Sequence, residues 1–191
     1  MMDVRESLKV LSRVRGHNDV VITNQGSARI WPLISSHRFD FQYNPSTMGG
    51  AIPLALGIAL AKADREVIVV SGDGALLMSL GSLVSVIGSG VRNLTVVLLE
   101  NGIYEVTGGQ RTAANGTAID FAAIASGSGF AVARSFDDLP SWTQDAETIF
   151  AVQGPRFINL KVAAADQQDL KTPPESASMQ IQRFRESLAK N

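Results

Sequence analysis

The sequence, which has 191 residues, contains no cysteine. Without thiols the chain cannot supply a disulfide, a thiolate-held zinc ion, a cysteine-ligated iron–sulfur cluster or a cysteine nucleophile. The chain also has almost no net charge, because it contains 17 Lys and Arg and 18 Asp and Glu. A near-neutral chain offers no electrostatic footprint for nucleic acid or for an anionic membrane. We therefore predict a protein that binds neither.

Long apolar runs are also missing. No segment has the roughly 18–20 consecutive apolar residues of a membrane-spanning helix, and residues 1–15 are charged and amphipathic, unlike a signal peptide. Apolar residues still make up 45% of the chain, enough for a packed core. These features predict a cytoplasmic globular protein. We expect one domain over residues 1–165, followed over 166–191 by a polar, proline-containing linker and a C-terminal helix.

Helix-like and strand-like segments alternate along the chain. The apolar spacing of residues 4–14 predicts a helix, and the β-branched run at 20–23 predicts a strand. Uninterrupted apolar runs at 67–70 and 94–99 are typical of strands covered on both faces, as in parallel sheets. Further helices are expected over 49–63, 75–87, 121–125, 137–150 and 179–188, and further strands over 130–133 and 157–162. This alternation predicts a doubly wound α/β fold, with a mostly parallel sheet and helices on both faces.

The turn Gly72-Asp73-Gly74 lies between a predicted strand and a predicted helix. Open α/β sheets bind their ligands at such carboxyl ends of strands, and Gly74 allows the backbone to approach a ligand closely. The helix expected to begin at Ala75 would point free N–H groups at the same place, which suits a phosphate. A carboxylate beside phosphates requires a cation between them. Mg²⁺, which prefers oxygen ligands and commonly binds substrate phosphates, meets this need at Asp73.

Asn101 follows the next predicted strand, and 26 residues separate it from Gly74. A strand–helix–strand unit returns the chain to the same edge of the sheet, so we expect Asp73 and Asn101 to face one site. An isolated Gly-Asp-Gly is as often a surface turn as a site. Here the strand before it, the helix after it and the Asn at the next strand end favour a binding site.

The Gly-Asp-Gly turn followed by Asn101 resembles the signature of thiamine-diphosphate-dependent enzymes, in their diphosphate-binding domain. The resemblance extends over most of the chain. The segment beginning at Asn44 is similar to the stretch that meets the aminopyrimidine ring in the decarboxylase branch. The loop beginning at Asn101 and the segment beginning at Pro173 look most like phosphonopyruvate decarboxylase and the beta subunit of sulfopyruvate decarboxylase.

The resemblance implies which residues hold a metal ion and the diphosphate. Asp73 and the Asn101 side chain would ligate Mg²⁺, and Ile103 would add its backbone carbonyl. Gly74 and Ala75, together with Gly72 of the same turn, would meet the diphosphate of thiamine diphosphate. One departure is Glu100, which stands where many relatives have a first Asn and adds a negative charge near the metal position.

Five more cofactor contacts follow from the same resemblance. Met48, 25 residues before Asp73, matches the apolar residue that holds the cofactor bent. Ser46 would offer a carbonyl to the 4′-amino group. Gly26 and Ser27 match a region that touches the diphosphate in relatives. The fifth contact is Tyr104, in the loop after Asn101.

The resemblance also implies a partner. In relatives a Glu hydrogen-bonded to N1′ of the pyrimidine comes from a separate pyrimidine-binding domain, across a subunit interface. Glu100 and Glu105 lie on the diphosphate side, and no other Glu of this chain suits the role. We therefore expect the diphosphate- and Mg²⁺-binding subunit of a split 2-oxo acid decarboxylase, in a homo- or hetero-oligomer with a pyrimidine-domain subunit.

The catalytic candidates are Tyr104 and Arg111, which follow Asn101, with Arg29 as a further cation. A sulfonate or phosphonate head group on a small 2-oxo acid would favour an Arg, although residues of these types are more often solvated surface residues. His17 and His37 are isolated, without ligand spacing, and are expected in loops. The tryptophans, Trp31 and Trp142, are expected in the core or an interface.

Several alternatives stay open at this point. A regulatory subunit could keep the fold without activity, and an acetolactate-synthase-like carboligase would share the same cofactor. A dinucleotide-binding domain would require a Gly-x-Gly-x-x-Gly turn after the first strand, which is not there. The beta subunits of 2-oxoacid:ferredoxin oxidoreductases are also free-standing diphosphate-binding chains, but they typically carry cluster cysteines, which this chain lacks.

Overall fold

A computed structural model of the protein describes residues 1–166 and 175–189. Its eight strands are β1 (Val20–Asn24), β2 (Asp40–Tyr43), β3 (Val67–Gly72), β4 (Leu94–Glu100), β5 (Ile103–Tyr104), β6 (Gln110–Arg111), β7 (Val132–Phe136) and β8 (Arg156–Lys161). Its helices are α1 (Val4–Val14), α2 (Gln25–Ile30), α3 (Ala51–Ala61), α4 (Asp73–Leu77), α5 (Ser82–Gly88), α6 (Phe121–Ser128), α7 (Leu139–Ala151) and α8 (Ala177–Ala189).

Six of these strands form one parallel sheet in the order β2-β1-β3-β4-β8-β7. Side chains alternate between its two faces, and both faces are covered. Leu76, α3, α5 and α6 pack on the face that includes Val69, whereas α1 and α7 pack on the face that includes Val70. This two-sided burial explains the uninterrupted apolar runs. The predicted doubly wound α/β fold is confirmed.

The register of the sheet places the ends of the central strands side by side. Gly72 at the end of β3 is opposite Leu99, and Glu100 at the end of β4 is opposite Lys161 of β8. The residues that follow these strands therefore meet at one edge, which we call the carboxyl edge. The opposite side of the sheet, where the strands begin, is the amino edge.

The single helix predicted over 75–87 is wrong, since the chain forms two short helices there, α4 and α5. The break follows from residues that compete with a continuous helix. The Ser79 hydroxyl donates to the Gly49 carbonyl at 2.8 Å, and Gly81 lies in the turn before α5. Ser and Gly both weaken helix interiors, Ser by local hydrogen bonding and Gly by its conformational freedom.

The C-terminal helix α8 packs against strand β2. The Phe184 and Phe41 rings stack with their centroids 5.0 Å apart, and the backbone N–H of Gln42 donates to the Gln180 side chain at 3.3 Å. The helix predicted over 179–188 is therefore present and begins two residues earlier. Most of the linker predicted between the domain and this helix lies outside the described residues, and the division of the chain at 165 stays a prediction.

None of the helices in residues 1–166 and 175–189 has the length and apolar character needed to cross a membrane.

Candidate functional site

A small pocket opens at the carboxyl edge, where β1, β3 and β4 end. We call it the edge pocket, and its cavity volume is about 40 Å³. It brings together ten of the residues that sequence reasoning assigned to cofactor binding, namely Gly26, Ser27, Met48, Gly72, Asp73, Gly74, Ala75, Asn101, Ile103 and Tyr104. Segments distant in the sequence thus converge as the parallel topology requires.

Asp73 is the first residue of α4 and is completely buried. Its Oδ2 accepts hydrogen bonds from the Thr112 hydroxyl at 3.0 Å and from the Gly102 backbone N–H at 3.2 Å. Its Oδ1 has no hydrogen-bond partner. Among the described residues, no Lys, Arg or His forms an ion pair with this carboxylate. Half of a buried anionic group is therefore uncompensated.

Burial raises the pKa of Asp73 above its ordinary value, because the charged form loses its hydration. The nearby Glu100 carboxylate acts in the same direction, whereas the hydrogen bonds from Thr112 and from backbone N–H groups oppose it. A divalent cation at Oδ1 would relieve both the desolvation and the repulsion from Glu100. The residues present therefore fit an oxygen-ligated metal ion such as Mg²⁺.

Asn101 lies just beyond β4 and is half-buried. Its Oδ1 accepts from the Ile103 backbone N–H at 3.0 Å, and its Nδ2 lies 3.4 Å from the Glu105 carboxylate. The Oδ1 atom retains a second lone pair. Asn101 and the Ile103 backbone thus stand beside Asp73 in the edge pocket, in positions consistent with the predicted metal ligands.

Gly74 and Gly26 line the edge pocket, and a loop side chain lies directly against each of them. A methyl group on Gly74 would lie 2.6 and 2.7 Å from two ring carbons of Tyr104, and one on Gly26 would collide with the Glu105 carboxylate. Only glycine fits at these positions with the loop in this conformation. The helix expected to point its N-terminus here is shorter than predicted, because α4 has only five residues. Local N–H groups, rather than a long aligned helix, would therefore bind an anion.

Sequence reasoning missed several residues of this site. Asn24 ends β1, is 1% exposed, and its Nδ2 donor has no partner. Gln25 has a φ of +51°, an unfavourable conformation for a side-chain-bearing residue. Thr112, which holds Asp73, lies 39 residues beyond it. Asn24 could have been found from its position after the predicted strand 20–23, whereas Thr112 carries no local signal.

Other predicted residues lie apart from the edge pocket. Ser46 is half-buried in the loop before α3 and does not line the cavity, and Arg111 is exposed on β6, opposite Ile103. Arg29 is half-buried on α2, also outside the cavity. The structure therefore brings neither arginine to the cavity, and the roles assigned to Tyr104, Arg111 and Ser46 stay predictions.

The histidines and tryptophans lie away from the edge pocket. His17 and His37 contact each other in loops, with ring centroids 5.4 Å apart. Trp31 and Trp142 are both completely buried in the core. These placements agree with the sequence-based expectations.

Comparison with known proteins identifies a family. Residues 23–160 match the family described as thiamine pyrophosphate enzyme, C-terminal TPP binding domain. The chain is 36% identical over 161 residues to the sulfopyruvate decarboxylase subunit beta of Methanothermobacter thermautotrophicus, and the match covers 82% of each protein. It is 32% identical over 166 residues to a phosphonopyruvate decarboxylase of Streptomyces viridochromogenes, covering 87% of this chain and 41% of that protein.

The chain therefore spans most of a sulfopyruvate decarboxylase beta subunit but about two fifths of the phosphonopyruvate decarboxylases that it matches. Among solved structures, a Mycobacterium smegmatis protein described as a thiamin diphosphate-dependent enzyme has a TM-score of 0.69. The two chains are 20% identical, and the match covers 86% of this chain and 32% of that one. At this identity the likeness shows a shared fold.

Proposed function

Because the chain belongs to the thiamine pyrophosphate enzymes, through their C-terminal TPP-binding domain, we propose that it is one subunit of a split 2-oxo acid decarboxylase. Its relatives include sulfopyruvate and phosphonopyruvate decarboxylases. In this proposal the chain binds Mg²⁺ and the diphosphate of thiamine diphosphate at the edge pocket. Thiamine diphosphate, when bound, supplies the electron sink that decarboxylation of a 2-oxo acid requires.

The observation that carries this proposal is the buried Asp73 with its unpartnered Oδ1. An uncompensated carboxylate inside a protein is costly, and such groups are normally paired or bound to a metal ion. Asn101 and the Ile103 backbone would complete the protein side of the metal site, and the donor set is all oxygen, as Mg²⁺ prefers. Gly26 and Gly74 would then let diphosphate oxygens approach the backbone closely.

The partner subunit is proposed because the carboxylates around the edge pocket all have other contacts. Asp73 is engaged at the metal position, and Glu100 accepts a hydrogen bond from the Asn159 amide at 2.5 Å. Glu105 contacts Asn101 and the Ala165 backbone on the diphosphate side. We therefore assign the N1′ carboxylate to a pyrimidine-domain partner. The beta-subunit name of a relative that this chain matches over 82% of its length supports this assignment.

The substrate class in this proposal is a small 2-oxo acid with a second anionic group. Support comes from the relatives, which are a sulfopyruvate decarboxylase subunit and a phosphonopyruvate decarboxylase. Arg29 and Arg111 lie outside the edge pocket, so a cation for the second anionic group would come from a rearranged loop or from the partner.

Calorimetric titration of thiamine diphosphate, with and without Mg²⁺, tests the metal assignment on the chain combined with its pyrimidine-domain partner. The variant Asp73→Ala should weaken Mg²⁺-dependent binding by more than about 100-fold, because loss of residues that merely support metal ligands already costs about 10–100-fold. Glu147→Gln, an exposed carboxylate change on α7, is the matched control and should bind normally. Retained binding by a folded Asp73→Ala protein would contradict the assignment.

A further inference from the structure

The loop after Asn101 covers the edge pocket. Its two-residue strands β5 and β6 pair as a hairpin, with a 3₁₀ turn over Glu105–Thr107 between them. Gly108 and Gly109 follow this turn with φ values of +120° and +76°, a conformation that glycine adopts without strain. The hairpin is thus a local unit, and two glycines with positive φ lead into its second strand.

Two side chains of this loop occupy the surfaces that a diphosphate would need. The Tyr104 ring lies on Gly74, and the Glu105 carboxylate lies against Gly26. With both in place the cavity volume of the edge pocket is about 40 Å³, and the pocket is partly open to solvent. A diphosphate that lies on Gly74 and Gly26 would need the space that these two side chains now occupy. The two side chains must therefore move before a diphosphate can bind on both glycines.

Glu105 makes the contacts expected of an anion in an anion site. Its Oε1 accepts from the Ala165 backbone N–H at 2.7 Å and from the Asn101 amide at 3.4 Å. No described Lys, Arg or His forms an ion pair with it. A carboxylate held by uncharged N–H donors resembles, in its chemistry, a phosphate oxygen held by the same donors.

A second observation indicates that the pocket is prepared for a larger anion. Asn24 lines the same cavity and is buried, and its side-chain amide has no partner on either Nδ2 or Oδ1. A buried donor without an acceptor is costly, and such groups are rare in folded proteins. Glu105 satisfies the Ala165 and Asn101 donors but leaves this one unmatched. A diphosphate, which has more acceptor oxygens than one carboxylate, would supply an acceptor for Asn24 as well as for Asn101, and the Ala165 N–H would be released together with Glu105.

We infer that Glu105 is a built-in competitor for the diphosphate of thiamine diphosphate. In the cofactor-free chain its carboxylate holds the diphosphate position and ties the loop to the backbone at Ala165. Cofactor binding displaces it, so the affinity is lowered by the free energy needed to open the loop. Binding is thereby coupled to movement of the segment around Ala165. This inference rests on the proposed function.

The test compares wild type, Glu105→Gln and Glu105→Ala in complex with the partner subunit, at saturating Mg²⁺. Calorimetry should show thiamine diphosphate and inorganic pyrophosphate binding about tenfold more tightly to both variants, a difference of about 1.4 kcal/mol. The same carboxylate change at a remote exposed site, Glu147→Gln, should leave both affinities unchanged. Thermal melting of each variant verifies that it is folded.

Amide hydrogen exchange supplies a readout that is independent of affinity. In wild type the Ala165 amide should be protected without cofactor and should exchange faster after cofactor binds, because Glu105 has left it. In Glu105→Ala it should exchange fast in both states. A wild-type Ala165 amide that stays equally protected after cofactor binds would overturn the inference.

The outcomes separate this inference from the proposed function. If wild type binds thiamine diphosphate with Mg²⁺ and Glu105→Gln binds it equally or more weakly, Glu105 is not a competitor, and the cofactor assignment stands. If neither wild type nor any variant binds the cofactor or pyrophosphate with Mg²⁺ and partner present, both proposals are wrong.

Discussion

The carboxylates at the two edges of the parallel sheet differ in how many of their oxygens have partners. At the amino edge, Asp40 and Glu66 have partners on both of their oxygens. Asp40 is bound by the Arg15 guanidinium on Oδ1 and by the Ser35 hydroxyl and a backbone N–H on Oδ2. At the carboxyl edge, Asp73 has a partner on only one oxygen and no cation among the described residues. The amino-edge carboxylates are thus partnered on both oxygens, whereas Asp73 is partnered on one.

Glu66 at the amino edge is held by a network of side chains. Its Oε1 accepts from the Thr95 hydroxyl and its Oε2 from the Arg156 guanidinium, both at 2.7 Å. The same guanidinium also donates to Thr95 and to two carbonyls at the end of α7. These contacts join strands β3, β4 and β8 to a helix. The comparison indicates that buried polar groups at the amino edge serve folding, whereas those at the carboxyl edge are reserved for a ligand.

The largest effect that this comparison predicts is loss of stability on replacing Arg156. The variant Arg156→Met would leave Glu66 nearly buried without its cation and would release two carbonyls. We expect the free energy of unfolding, measured in urea, to fall by about 3 kcal/mol. This is the lower part of the range for broken buried ion pairs, because 17% of the Glu66 side chain is exposed.

The matched control for Arg156→Met is Arg134→Met, which breaks the exposed Arg134–Asp145 pair. That pair spans 2.9 Å with 55% and 35% of its side chains exposed, and its loss should cost no more than about 1 kcal/mol. Cofactor affinity of folded Arg156→Met should match wild type. If Arg156→Met is as stable as Arg134→Met, the conclusion that the buried contacts of Arg156 stabilise the fold is wrong.

A smaller effect concerns Asp73 and pH. Because its pKa is raised in the folded protein, mainly by burial, the folded state disfavours the ionised form. In metal-free wild type the contribution of Asp73 to stability should therefore be fully present below the ordinary pKa of 3.8 and be lost as pH rises through the raised pKa. Asp73→Asn should lack this loss. Urea unfolding at several pH values without Mg²⁺ measures the difference, and identical pH profiles would contradict the assignment.

The smallest effect is expected at the amino edge, at His37. Its pKa is lowered by burial and by the Arg15 charge, while Asp40 partly offsets the shift. Stability contributed by neutral His37 should be present above 6.5 and be lost as pH falls through the lowered pKa. His37→Gln should flatten only this part of the stability profile. If the free energy of unfolding has the same slope between pH 7 and 5 in His37→Gln as in wild type, the prediction for His37 is wrong.

Much of the fold could be predicted because the central strands are apolar without interruption. Uninterrupted apolar strands such as 67–70 and 94–99 are typical of a parallel sheet covered on both faces, and α1 shows a clear helical period. Strand β2 was missed because Asp40–Tyr43 is short and half polar. It is a strand because β1 and α8 pair and pack with it, which is tertiary context rather than local preference.

The candidate site was predicted in position rather than in detail. Residues at strand ends, such as Asp73 and Asn101, follow from the topology, because parallel strands end at one edge. The contacts of Thr112 and Glu105 depend on how the loop after Asn101 folds back, and two-residue strands leave no periodic signal. The expected helix from Ala75 was wrong in length for a similar reason, since the Ser79–Gly49 contact is not local.

Helix α8 has a consequence for the behaviour of β2 at the margin of the sheet. Its Arg183 donates to the carbonyls of Arg38 and Asp40, and its Gln180 side chain accepts from the Gln42 N–H. These are the main-chain groups through which an edge strand recruits strands from other molecules. By capping them with side chains, α8 closes this margin to strand addition and protects the protein against edge-to-edge aggregation.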